Sequence, residues 1–244
     1  MTQRTTKARV RALLIQLGLY RLDKRFKKRF RIAKYEMSFP PYGQQAQEMI
    51  RASIDVVRYG AVALAINRLE RTKVPGAFAE VGVYKGDLSK FIVALAPART
   101  VHLFDTFAGF PSADAESPDE HDDRFQDTSV EAVRRHVGAD ARIMFHPGYF
   151  PDTAGAIVTD TFAFVMLDVD KYKPTLAALE VFYPRMSPGG YIFLHDYNSP
   201  ESSCGVSRAA DQFFADKPEC LIEIPDRGGS VVVRKLQVPR PSSS

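Results

Sequence analysis

Two apolar runs in this 244-residue chain end abruptly in ionisable side chains. Phe162–Leu167 leads into Asp168 and Asp170, and Tyr191–Leu194 leads into His195 and Asp196. Continuous apolar runs of this length read as strands buried on both faces. In an open α/β sheet, ligands bind beyond the carboxyl ends of such strands. A single carboxylate there is as well explained by a helix cap. Three carboxylates and an imidazole closing two strands instead suggest oxygen ligands and a base at one edge of a sheet. Asp168 and Asp170 lie two apart, so they share a face if the strand continues through them.

A second constellation surrounds the first expected strand, Ala77–Val81. Glu80, Gly82, Tyr84 and Gly86 occupy its turn into a helix. Glycines there let backbone approach a ligand, and a helix N-terminus favours an anionic group. The spacing matches neither the dinucleotide fingerprint nor the G-x-x-x-x-G-K-[ST] phosphate loop. Asp105 closes the next strand, 25 positions after Glu80, where an acidic residue can accept hydrogen bonds from ribose hydroxyls. A nucleoside cofactor without a pyrophosphate fits both features, and S-adenosylmethionine is the obvious one. Its amino-acid end would meet the glycine turn and its ribose Asp105.

The elements that must position these residues alternate along the chain. After a break at Pro40-Pro41, a helical stretch is expected over 44–70. Strands over 77–81, 100–104, 142–145, 162–167 and 191–194 then alternate with helices over 87–95, 129–137, 175–183 and 207–215. This order predicts an α/β fold with a mostly parallel, doubly wound sheet. Strands over 221–224 and 230–234, joined by the Pro225–Gly229 turn, should form an antiparallel edge hairpin. The acidic insert over 112–127 is expected near the mouth of the site, either closing over it or as a solvated surface loop.

The net charge of +4 conceals an asymmetry. Residues 1–40 carry 12 Lys or Arg against Asp23 and Glu36, whereas the rest carries 21 basic and 27 acidic residues. The basicity belongs to an arm in which Leu19, Leu22, Phe26 and Phe30 recur at helical spacing. Such an arm can pack on the main domain, lie on an anionic membrane or grip an acidic partner. A nucleic-acid partner is not expected, because the basic charge is confined to that arm. Cys204 and Cys220 match no zinc or disulfide framework and read as reduced thiols in a cytoplasmic protein. The domain plan is therefore an arm (1–40), a helical lid or cap segment (41–75), a cofactor-binding domain (76–236) and a tail (237–244). A homo-oligomer is expected.

Five ordered motifs sharpen this reading. Val74–Gly86 is followed by Phe104–Pro111, Gly148–Thr153, Leu167–Leu176 and Leu179–Gly190, with Asp196-Tyr197 and Gly205–Phe213 behind them. Together they resemble the macrocin O-methyltransferase (TylF/MycF) family, over roughly residues 74–235. The resemblance implies a class I methyltransferase fold, S-adenosylmethionine held by Glu80, Gly82, Tyr84, Gly86, Asp105, Thr106, Phe107 and Asp168, and a hydroxyl acceptor on a sugar or glycosylated small molecule. It also implies a divalent cation, usually magnesium, on Asp168, His195 and Asp196, with Asp170 as general base. One departure stands out: the family carries two consecutive Asp where this chain has His195-Asp196. Imidazole suits manganese, zinc or iron better than magnesium. His195 could ligate such a metal, stand aside from magnesium, or itself be the base of a metal-free enzyme. Two rival functions are an oxidoreductase of related fold, disfavoured by the missing dinucleotide fingerprint, and a cofactor-binding protein without methyl transfer.

Overall fold

The computed structural model describes residues 43–115, 122–138, 140–200 and 203–236. Two compact units divide the chain, residues 1–47 and 48–244. The expected arm (1–40) and tail (237–244) lie outside the described residues. Two helices, α1 (Gln44–Ala52) and α2 (Val56–Thr72), replace the single helix expected over 44–70. The break falls where Asp55 leaves helical geometry (φ −139°) and caps α2. Its Oδ1 accepts from the amides of Val57 (3.2 Å) and Arg58 (3.0 Å). A capping carboxylate satisfies first-turn amides that have no partner within the helix. The apolar pattern runs through this break because both helices bury a stripe, so periodicity alone missed it.

The sheet contains β1 (Ala77–Val81), β2 (Val101–Asp105), β3 (Ile143–Pro147), β4 (Phe162–Leu167), β5 (Met186–Leu194), β6 (Ile222–Ile224) and β7 (Ser230–Arg234). Its order is β3-β2-β1-β4-β5-β7-β6. The first five strands run parallel, β7 is antiparallel to β5, and β6 pairs antiparallel with β7 as the edge. Helices α3 (Asp87–Leu95), α4 (Val130–Val137), α5 (Tyr172–Phe182) and α6 (Gly205–Phe214) complete the alternation. Strand β1 pairs with both β2 and β4, so the winding direction reverses there. A crevice opens at such a switch point, between the strands that carry Glu80 and Asp168.

Every residue of β4 is buried. Phe162 packs on Phe182 of α5 with ring centroids 4.9 Å apart, and Phe104 of β2 packs on Phe150 at 5.4 Å. This aromatic core packs around β4, the strand that leads into Asp168. Strand β5 begins five residues before the expected start, at Met186. Its pairing with β4 jumps from Phe162↔Met186 to Phe164↔Tyr191. The intervening Pro188-Gly189-Gly190 reads as a turn in sequence. In the fold, a Cβ on Gly190 would stand 2.9 Å from the Ala163 carbonyl, so this irregularity lies flat against β4.

Candidate active site

The glycine turn after β1 is built by close backbone approach. Gly82 (φ +88°) lies so near β4 that a Cβ would stand 1.9 Å from the Asp168 carbonyl oxygen. A Cβ on Gly86 (φ +82°) would meet Val137 and Val133 of α4 at 2.7 and 2.8 Å. Asp105 stitches the turn: its Oδ2 accepts from the amides of Val83 (2.6 Å) and Tyr84 (2.8 Å), and its Oδ1 from Phe107 (2.6 Å). Three of roughly four carboxylate acceptor directions are thus in use. Thr106 Oγ1 donates to the Gly109 carbonyl (2.6 Å), and Phe107 is buried. Tyr84 (φ 51°) and Phe107 (φ 54°) are both left-handed, a conformation that bulky residues hold only under strong constraint.

Glu80 is only 1% exposed and accepts from the Ser89 hydroxyl. Burial pushes its carboxyl up to about 8. The sign follows directly. Between the unfolded value near 4.5 and about 8, the folded protein keeps a proton that the unfolded chain releases, so Glu80 makes stability fall as pH rises through that window. Glu80→Gln should remove this dependence, and thermal melts from pH 5 to 8 should diverge most at the alkaline end. Parallel profiles would mean that Glu80 is already ionised in the folded protein.

The ends of β4 and β5 bring the acidic cluster together. His195 Nδ1 lies 3.0 Å from both Asp168 Oδ1 and Asp196 Oδ2. Its Nε2 donates to the Arg227 carbonyl at 2.8 Å, which orients the ring with Nδ1 toward the carboxylates. Burial alone would lower the His195 pKa, but the Asp168 charge and hydrogen bonds to Asp168 and Asp196 lift it to about 10. Asp170 is 5% exposed, and burial followed by the Asp168 charge raises its carboxyl well above the ordinary range. Burial opposes ionisation of Asp196 too, but its hydrogen bond to His195 brings that carboxyl below its usual value.

Asp168 and Asp170 do not share a strand face, because β4 stops at Leu167. A left-handed turn at Asp170 (φ 60°) instead swings its carboxyl into hydrogen-bond contact with Asp196, itself at φ 57°. Alternation was the wrong device, although the residues converge as expected. Asp accepts this conformation more readily than bulky residues do, and such strain collects at functional sites.

Further members come from α2, from the β6–β7 turn and from the acidic insert expected near the mouth of the site. Arg58 Nη1 of α2 donates to Asp168 Oδ2 at 3.0 Å, and its Nε is buried without a hydrogen-bond partner, 3.8 Å from Asp55 Oδ2. Asp55 Oδ2 accepts from the Arg227 amide (2.8 Å) in the β6–β7 turn. That turn presses on the site, since a Cβ on Gly228 (φ +83°) would stand 2.1 Å from Asp196 Oδ1. Arg124 Nη1, on the segment returning from β2 to α4, lies 3.4 Å from Asp170 Oδ2. Arg124 lies in the 112–127 insert expected near the mouth of the site, the Pro225–Gly229 turn reads in sequence only as a hairpin connection, and Asp55 and Arg58 carry no site signal in the sequence.

The sequence pattern of the family described as Macrocin-O-methyltransferase (TylF) matches residues 7–222. The chain belongs to the macrocin O-methyltransferase family. Similar members include a tetracenomycin-C rhamnosyl 4'-O-methyltransferase of Streptomyces olivaceus, 35% identical over 140 residues, or 51% of this chain and 54% of that protein. The mycinamicin III 3''-O-methyltransferase of Micromonospora griseorubida is 28% identical over 188 residues, 70% of this chain and 74% of that one. This chain thus spans about half the length of the first relative and three quarters of the second. The solved structure of the O-methyltransferase NovP superposes with a TM-score of 0.64 at 27% identity, covering 75% of this chain and 81% of NovP. The mostly parallel seven-stranded sheet with its antiparallel edge is thus the fold of a chain of this family, and it superposes on that of NovP.

Proposed function

We propose that this protein transfers a methyl group from S-adenosylmethionine to a hydroxyl on the sugar of a glycosylated small molecule. The observation that carries this reading is the convergence of Asp168, Asp170, His195 and Asp196 beside the glycine turn, in a chain of this family. S-adenosylmethionine supplies an electrophilic methyl group with its leaving group attached. The protein's tasks are alignment and proton removal. Gly82 and Gly86 let the turn close on the amino-acid end, and Asp105 accepts from a ribose hydroxyl with its remaining acceptor direction. The acceptor oxygen forms a bond to the methyl carbon as the carbon–sulfur bond breaks, with its electron pair passing to sulfur. Asp170 takes the hydroxyl proton.

The donor set fits a divalent cation. Asp168, His195 and Asp196 each offer a ligand atom, all within 4.8 Å of one another. Nδ1 stands 3.0 Å from each oxygen, close to the separation of neighbouring octahedral ligands with bonds of about 2.1 Å. Arg58 and the Arg227 carbonyl orient Asp168 and His195 from behind, as outer partners of metal ligands do. A cation there would lower the pKa of the acceptor hydroxyl, and imidazole favours manganese, iron or zinc over magnesium. The elevated His195 pKa supports a second reading, in which a protonated imidazolium stands in for the ion. Replacing Asp by protonated His changes the local charge by two, as much as a divalent ion brings. In either case both ring nitrogens are engaged, and Asp170 is the better base.

A screen of glycosylated acceptors with labelled S-adenosylmethionine tests the function. Label should appear in a methyl ether of the sugar; cofactor binding without transfer to any sugar acceptor would overturn the assignment. Asp105→Ala tests the cofactor site. Losing a ribose bond costs on the order of 1–3 kcal/mol, and the turn also loses its stitch. Calorimetry should find S-adenosylmethionine binding weakened at least about tenfold; unchanged affinity would remove Asp105 from the site.

A further inference from the structure

The segment returning from β2 to α4 grips both ends of the site within seven residues. At one end Thr128 Oγ1 donates to the Tyr84 carbonyl (2.7 Å). Asp127 accepts from the Tyr84 hydroxyl and from Lys85 Nζ, each at 2.6 Å. Phe125 packs edge-on against the Tyr84 ring, centroids 4.9 Å apart. At the other end Asp122 takes the Arg124 fork in two hydrogen bonds of 2.9 and 2.8 Å, and its Oδ2 also pairs with Lys171 Nζ at 3.0 Å. The Arg124 guanidinium lies over the rings of Phe110 and Phe125 at 5.2 and 5.3 Å, with Nη1 3.4 Å from Asp170 Oδ2. Residues 122–128 thus hold Tyr84-Lys85 of the cofactor turn with one end and Asp170-Lys171 with the other.

The two grips differ in strength. Lys85 and Asp127 pair at the surface, with side chains 50% and 66% exposed, and a pair so placed stabilises little. The fork between Arg124 and Asp122 is bidentate, and the Asp122 side chain is 14% exposed. Bidentate, sheltered pairs are stiff. The adjustable end therefore lies on the cofactor turn, and the stiff end lies beside Asp170. Tyr84, Phe125 and Asp170 all have positive φ, so contacts must hold each of them.

We propose that residues 122–128 act as a strap and that Arg124 is a positioning residue. Occupation of the cofactor turn tightens the hold that the strap already has on Tyr84 and Lys85, and this fixes Asp170 through Arg124. The inference rests on the proposed roles of the turn and of Asp170. Coupling between two sites is reciprocal, so a change at Arg124 must be felt by the cofactor although Arg124 pairs with Asp122 and Asp170.

The test is calorimetry of S-adenosylhomocysteine with the full-length parent, Arg124→Gln, Arg124→Lys, Asp127→Ala and the Arg124→Gln/Asp127→Ala double variant. Arg124→Gln should bind about fivefold more weakly, with a melting temperature lowered only slightly, because Lys171 still pairs with Asp122 and the arginine side chain is 35% exposed. Arg124→Lys should recover part of the loss, keeping the charge but not the fork. Losses in the double variant should combine less than multiplicatively, since both side chains act through one strap. With an acceptor from the screen, Arg124→Gln should lower kcat and leave the acceptor KM in place. Parental affinity in Arg124→Gln, or losses that multiply in the double variant, would overturn the coupling alone. A parent that does not bind S-adenosylhomocysteine would overturn the cofactor site and this inference together.

Discussion

Asp170→Asn should cut turnover by about 10²–10⁴-fold and leave S-adenosylmethionine affinity nearly intact. Asn preserves the size of the side chain and can still hydrogen-bond to Asp196, but it cannot take the acceptor proton. Burial and the neighbouring Asp168 charge raise the Asp170 carboxyl above the ordinary carboxylate range, so it binds a proton more readily than a solvated aspartate would. The acid limb of the parent's pH–rate profile should therefore lie above that range, with activity lost as pH falls and Asp170 becomes protonated. In Asp170→Asn the limb should disappear along with most of the rate. Single-turnover measurements at saturating cofactor make the comparison clean, because product release no longer masks chemistry. A variant retaining parental turnover would remove Asp170 from the reaction.

His195→Asp should change metal preference and keep the fold. It restores the paired carboxylates expected of the family and exchanges a nitrogen ligand for an oxygen. Exhaustive chelation of the parent should abolish methyl transfer, with manganese or another imidazole-tolerant ion restoring it better than magnesium. In His195→Asp the order should reverse in favour of magnesium. Titration calorimetry of the metals alone should follow the same order, and that readout does not depend on turnover. The second reading predicts the opposite pattern: chelation harmless to the parent, and His195→Asp crippled without added metal, since one more carboxylate would then repel Asp168, Asp170 and Asp196. A parent that binds no divalent ion and remains fully active after chelation decides for the imidazolium.

The alternation of strands and helices and the two acid-tipped strands were legible in the sequence, whereas the switch point at β1 came from the observed strand order. Burial on both faces forces β4 to be continuously apolar, and only its end can carry charge. The same logic drew attention to Glu80 and Asp105, ionisable residues near the ends of apolar runs beside the glycine turn. Tertiary structure decided how these groups meet. Asp170 reaches Asp196 through a positive φ that no side-chain periodicity encodes. Arg58 and Arg124 reach Asp168 and Asp170 across 110 and 46 positions of chain. Gly228 reads as an ordinary turn glycine until its hairpin is folded onto Asp196. Apolar patterning reports which face of an element is buried. Which charged groups then share one small volume depends on turns, caps and loop paths, whose energies are settled by long-range contacts.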